Sequence, residues 1–165
     1  QLKSDLARAL NIWPTDLCTE LGRYDCFDFV HKVTLGGVAP YDQSIYRPNA
    51  TSALSAPTTV ERIVISACGA RVRADFSSPE EAALFNGLVV DASGRLEDVN
   101  APEVEAVIER LFHRSLVREP STQEVESLKS LYQEIATDTE VQTPTPEWAW
   151  MACFSLFTSV EFLFY

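Results

Sequence analysis

The sequence predicts an all-α fold of five to seven helices in one domain, with a long irregular loop around 35–57 and at most one short strand pair. Three observations carry this. Apolar residues recur at helical spacing behind recognisable helix starts, whereas the one strand-like run is Leu88-Val89-Val90. The 165 residues are 46% hydrophobic, 10% aromatic and 22% charged, with 6 Gly and 9 Pro, a balance that excludes collagen-like, disordered and low-complexity chains. A chain of this length removes roughly 70% of its unfolded surface from water, enough for one sizeable core. The single domain, 1–165, divides into an N-terminal half, 1–100, that carries the loop and a helical part, 101–165.

In order along the chain, Asp5–Ile12 and Tyr24–Val33 read as helices, broken by Trp13-Pro14 and by Gly36-Gly37. Leu35–Pro57 holds Gly-Gly, three prolines, two tyrosines and several Asn, Ser and Thr, which predicts a long ordered loop of the kind that serves binding. Thr58-Thr59-Val60-Glu61 has the form of a capping box ahead of Ile63, Val64 and Cys68. Ser78-Pro79-Glu80-Glu81 reads as N-cap, first-turn proline and acidic first turn of a short helix through Phe85. After a turn at Ala92-Ser93-Gly94, Asn100-Ala101-Pro102-Glu103 opens a helix with Val104, Val107, Ile108, Leu111 and Phe112 on one stripe. Ser121 and Glu124 form a second capping box before Val125, Leu128, Leu131, Tyr132 and Ile135. Thr145-Pro146-Glu147 then starts a helix that is apolar nearly all round from Trp148 to Phe157, the signature of a helix buried in its own core or in a partner.

Charge and cysteines bound the function. Thirteen Lys and Arg against 24 Asp and Glu leave a formal charge of −11. Phosphate backbones and anionic headgroups need neutralising cations, so nucleic acid and anionic lipid are poor partners, and cationic or mixed-charge protein faces are good ones. No apolar run approaches the ~20 residues of a membrane span. The start at Gln1, without Met or a leader pattern, reads as a processed or trimmed end. Cys18, Cys26, Cys68 and Cys153 form no C-x-x-C, haem-attachment or zinc-finger spacing. Four buried thiols and two disulfides are both compatible with them. Three connectivities are open, and Cys18 reaches Cys26 only if Leu21-Gly22-Arg23 interrupts the helix.

Chemistry-bearing residues are sparse. The histidines are His31 and His113, and His113 sits just off an apolar stripe, as a surface or capping residue does. Asp28 and His31 are i,i+3 neighbours beside Asp25, an incomplete ligand set whose plain reading is a solvated ion pair and whose sharper reading is a metal site, with Asp91 or Glu97 added. The segment Asp91–Asp98 has the oxygen density of a calcium turn but departs from the EF-hand pattern, so an acidic turn is preferred. No nucleophile elbow, Walker loop or dinucleotide glycine fingerprint occurs, and no cofactor is predicted. Asn49-Ala50-Thr51 matches a glycosylation sequon. The aromatic C-terminal end, with Trp148, Trp150, Phe157, Phe162, Phe164 and Tyr165, joins Tyr41 and Tyr46 of the loop as the candidate partner-binding set.

The segment Leu111–Glu124, reading Leu-Phe-His-Arg-Ser-Leu-Val-Arg-Glu-Pro-Ser-Thr-Gln-Glu, resembles the helix–turn–helix of planctomycete-type cytochrome c proteins, in which an Arg-rich helix, a Pro-Ser/Thr turn and a second helix follow one another. The final Phe-Thr-Ser-Val-Glu-Phe-Leu-Phe-Tyr of 157–165 is similar to the end of the same pattern, with Val160 where that pattern prefers proline. The resemblance covers about residues 104–165. Those proteins are large bacterial envelope proteins that join a haem domain to helical domains of unknown function. It implies export to the periplasm or cell surface, favours disulfides over free thiols, and implies a protein partner such as a cytochrome or another envelope subunit. It supplies no catalytic residue, and the C-x-x-C-H haem site is missing from this chain. The expectation is therefore a non-catalytic interaction module, an accessory or structural subunit of a larger, redox-associated envelope assembly. The alternative is a metal-binding domain or metal-dependent enzyme built on Asp25, Asp28 and His31.

Overall fold

The computed structural model describes residues 1–48 and 55–164; the sequon at 49–51 and Tyr165 lie outside them. Among the described residues there are six α-helices: α1 Leu2–Leu10, α2 Ala56–Ser77, α3 Pro102–Leu116, α4 Thr122–Thr137, α5 Pro144–Phe157 and α6 Val160–Phe164. One two-stranded antiparallel sheet, β1 Thr19–Glu20 with β2 Tyr24–Asp25, completes the regular structure. The fold is all-α, as the sequence predicts.

The helix without a wet face is the organising element. Trp148, Ala149, Ala152, Cys153 and Phe157 of α5 are fully buried, and α5 packs against α2, α3, α4 and α6. Around it, α2 contributes Ile63, Val64, Ala67 and Cys68, α3 contributes Val104, Val107, Ile108 and Leu111, and α1 adds Leu6 and Leu10. Trp148 is buried with its polar edge satisfied: its indole N–H donates to the Leu128 carbonyl at 2.8 Å, and its ring meets Tyr132 edge-on. All four cysteines are paired. Cys68–Cys153 ties α2 to α5 with Cα atoms 5.8 Å apart, and Cys18–Cys26 closes the base of the β1–β2 hairpin at 5.5 Å. Free thiols are therefore excluded.

The cap signals hold unevenly. Ser121 and Glu124 form the full reciprocal capping box of α4. Helix α2 begins at Ala56, ahead of the Thr58–Glu61 box, because Pro57 fits the second position, where a missing N–H costs nothing. The irregular loop from Leu35 accordingly ends earlier than expected; in its described part Ala39 and Ile45 bridge one another. The short helix expected over Ser78–Phe85 is a single 3-10 turn, Pro79–Glu81. The buried carboxylate of Asp75 stops it by accepting the N–H groups of Ala83, Leu84 and Phe85 at 2.8–2.9 Å and pairing with Arg71. The connection to α3 is then stitched down by Arg110 to the Leu84 carbonyl, Arg95 to the Ala136 carbonyl, and the Leu96 N–H to the Tyr132 hydroxyl. Val90 and Leu96 bridge across the turn at 91–94, the whole of the strand character expected there.

Candidate interaction face

The helix expected over Tyr24–Val33 is absent. The chain instead turns at Leu21-Gly22, with the Arg23 N–H donating to the Glu20 carbonyl, pairs Tyr24 with Glu20, and makes one π-helical turn over Cys26–Val30. The Cys18–Cys26 bond fixes this path, since the disulfide and the bond from the Cys26 N–H to the Cys18 carbonyl hold the two strands side by side. Leu21 and Gly22 both have positive φ, 54° and 64°, the geometry of a tight hairpin turn whose preferred residues are Asn-Gly. A leucine there costs about 1–2 kcal/mol of backbone strain, and its side chain is 93% exposed.

The π-turn then brings Phe29 back against Tyr24, with ring centroids 5.2 Å apart and planes 17° from parallel, and the Arg23 guanidinium lies 5.4 Å over the Tyr24 ring. Phe27 points inward and is buried, whereas Phe29 is 63% exposed. Leu21, Tyr24 and Phe29 form one wall of a groove of about 510 Å³; Ala39, Asp42 and Gln43 of the loop line the other, with Glu20, Asp28 and Lys32 also in the lining. Tyr41, 98% exposed, projects from the same short loop, and Tyr46 is exposed beyond it.

Ion pairs hold this hairpin to the helices. Lys3 of α1 bonds Asp25 at 2.9 Å and also Asp28, while Glu20 accepts His31 at 2.9 Å and Arg62 of α2 at 3.0 Å. Asp25 additionally caps the π-turn by accepting the N–H groups of Phe27 and Asp28. Burial works against both charges, yet the bonds to Asp28 and Asp25 raise the Lys3 pKa, and those from the Asp28 N–H and Lys3 lower that of Asp25. Asp25 and Asp28 thus face Lys3 while His31 turns away to Glu20, so the metal site suggested by their spacing does not assemble. Among the described residues no group of three or more His, Cys, Asp and Glu side chains is placed to hold a metal ion. Asp91 accepts from the Ser93 hydroxyl, which lowers its pKa, and from the N–H groups of Ser93 and Arg95; this is a self-contained turn, and Glu97 stands apart from it.

The aromatic C-terminal set divides. Trp148 and Phe157 are core residues and offer nothing to a partner. Trp150 is half-buried, with its indole N–H on the Ile65 carbonyl, and Phe162 packs edge-on against Phe157. Phe164 is 81% exposed. A larger groove of about 740 Å³ runs between α1, the end of α3 and α6, but its polar side chains are largely engaged: Arg8 with Asp5, His113 with Glu119, and Arg118 with both Glu124 and Glu161. Arg118 holds Glu124 at a pKa of about 2 and lowers that of Glu161, its own being raised in turn. Arg118 thereby ties the turn between α3 and α4 to α6.

No protein-family model, curated protein or solved structure matches the chain. Its candidate site therefore rests on its own geometry. Leu21, Tyr24 and Phe29 escape a helix-based reading because their exposure depends on the hairpin. The signal that could have found them is Leu21-Gly22 between two cysteines eight residues apart, the separation of a disulfide-closed turn.

Proposed function

We propose that this chain is a non-catalytic, exported interaction module, an accessory subunit of a larger envelope assembly, and that it binds a partner protein through the hairpin–loop face. Leu21 carries the reading. An apolar side chain in a strained turn position, almost wholly in water at the tip of a disulfide-closed hairpin, serves no purpose in the isolated fold. The exposed rings of Phe29 and Tyr41 beside it are the residue types that anchor protein interfaces. The two disulfides support export, since such bonds persist in oxidising compartments. In that compartment a cytochrome or another envelope subunit is the fitting partner. No helix among the described residues is long and apolar enough to cross a membrane.

The test is Leu21→Asn. Asparagine suits the turn, so the variant should fold with an unchanged or slightly higher melting temperature, by about 1 kcal/mol of relieved strain. The wild-type chain should retain a stoichiometric partner from its native envelope fraction, identified by mass and by haem absorbance, and Leu21→Asn should lose it. Equal retention by both chains, or a wild type that elutes alone, refutes the proposal.

A further inference from the structure

We propose that the groove between the hairpin tip and the 39–43 loop recognises an arginine side chain of the partner; this rests on the interaction reading above and specifies its chemistry. The groove offers an aromatic platform and carboxylates side by side. Tyr24 and Phe29 are stacked, the Arg23 guanidinium lies 5.4 Å from the Tyr24 ring centroid, and Phe29 is 63% exposed, so the stack leaves aromatic surface open to a second cation. The chain already places a guanidinium on one ring of this pair, and the exposed ring of Phe29 offers the same chemistry to another.

The charges lining the groove are Glu20, Asp28 and Asp42 against Lys32. Glu20 is already paired with His31 and Arg62, and Asp28 with Lys3, their closest contacts falling on Oε1 and Oδ2. Asp42 makes no ion pair among the described residues and is exposed on the opposite wall. With a chain charge of −11 behind it, the groove attracts cations and repels carboxylates. Arginine fits better than lysine, because a planar guanidinium stacks on a ring with its face while its edge donates in a fork to a carboxylate. A compact ammonium does only one of these at a time. The volume, about 510 Å³, lies within the range of sites that enclose a small ligand group.

The experiment titrates the full, disulfide-bonded chain with the blocked peptide acetyl-Gly-Gly-Arg-Leu-Gly-Gly-amide and its Lys and Gln counterparts, following backbone NMR shifts. The Arg peptide should saturate, with shifts concentrated at 20–32 and 39–43. It should bind about tenfold tighter than the Lys peptide, and its affinity should fall as salt is raised. Phe29→Ser and Asp42→Asn, both at exposed positions, should each weaken it about tenfold with unchanged circular dichroism. Equal binding of the Arg and Gln peptides, or no effect of either variant, overturns the arginine assignment. If Leu21→Asn still abolishes partner retention in that case, the interaction face stands and only its ligand chemistry is wrong. If retention survives Leu21→Asn, the face itself is wrong.

Discussion

Removing the Cys68–Cys153 bond should cost far more than removing Cys18–Cys26, and the difference follows from chain statistics. The first closes a separation of 85 residues, the second a separation of 8. If a cross-link acts by restricting the unfolded chain, the long loop contributes about 4.5 kcal/mol and the short one about 2.5 kcal/mol at 25 °C. Cys68 and Cys153 are also fully buried between α2 and α5, so replacing both by alanine adds a small cavity cost on top of the entropy. For a chain of this size the long-loop loss is a fall of roughly 9–18 °C in melting temperature. It is also a large share of the ~5–15 kcal/mol that a domain possesses. The assay is urea denaturation of Cys68→Ala/Cys153→Ala and Cys18→Ala/Cys26→Ala without reductant, beside the wild type. A short-loop variant as destabilised as the long-loop one would refute the unfolded-state argument. A proteolytic map joining Cys18 to Cys68 would refute the connectivity itself.

Three further outcomes are expected. Asp75→Ala should cost about 3–5 kcal/mol, because it strips three N–H groups and the Arg71 guanidinium of a buried acceptor; thermal denaturation measures it, and a loss under ~1 kcal/mol would show that the carboxylate does not organise the 83–85 turn. Glu124 titrates at about 2 in the fold against an ordinary value of 4.5. Its contribution is therefore complete above pH 4.5 and is lost as the pH falls toward 2, so the melting temperature should drop through that window. Glu161 and Asp25 are shifted in the same direction. Arg118→Gln should flatten that acid limb, and an identical slope in the variant would contradict the pairing. Finally, Trp148→Ala should cost about 3–5 kcal/mol, whereas Phe164→Ser should stay within about 0.5 kcal/mol; comparable losses in urea would place Phe164 in the core.

Much of the helical framework is readable because it is written in local, repetitive terms. The capping box at Ser121, the stripe from Val104 to Phe112 and the apolar run from Trp148 need only neighbours three or four residues away. Two of the misreadings involve a partner beyond the three- or four-residue reach of helical spacing. Tyr24–Val33 loses its helix to a disulfide with Cys18, and Ser78–Phe85 loses its helix to a carboxylate on the preceding one. The apolar run also looks the same whether its rings meet a partner or the chain's own core, and only the positions of α2, α3 and α4 send Trp148 and Phe157 inward. The proposed face is half visible: Tyr41 and Tyr46 stand out in a loop rich in turn residues, but Leu21 and Phe29 acquire their exposure from the hairpin. The i,i+3 spacing of Asp28 and His31 presupposes a helix that does not form, and spacing cannot reveal that Lys3 takes Asp25 and Asp28 while Glu20 takes His31.

The central position of α5 also sets an order of assembly. The helix that every other long helix leans on follows α2, α3 and α4 in the chain. During synthesis, the apolar faces of α2, α3 and α4 emerge first and wait for it. The Cys18–Cys26 ring can close as soon as residue 26 is out, whereas Cys68 has no partner until residue 153 arrives. The hairpin tip is therefore set early and locally, and the core waits for α5. A chain interrupted before Trp148 would carry a preformed hairpin on an uncondensed body, with its waiting helix faces open to self-association.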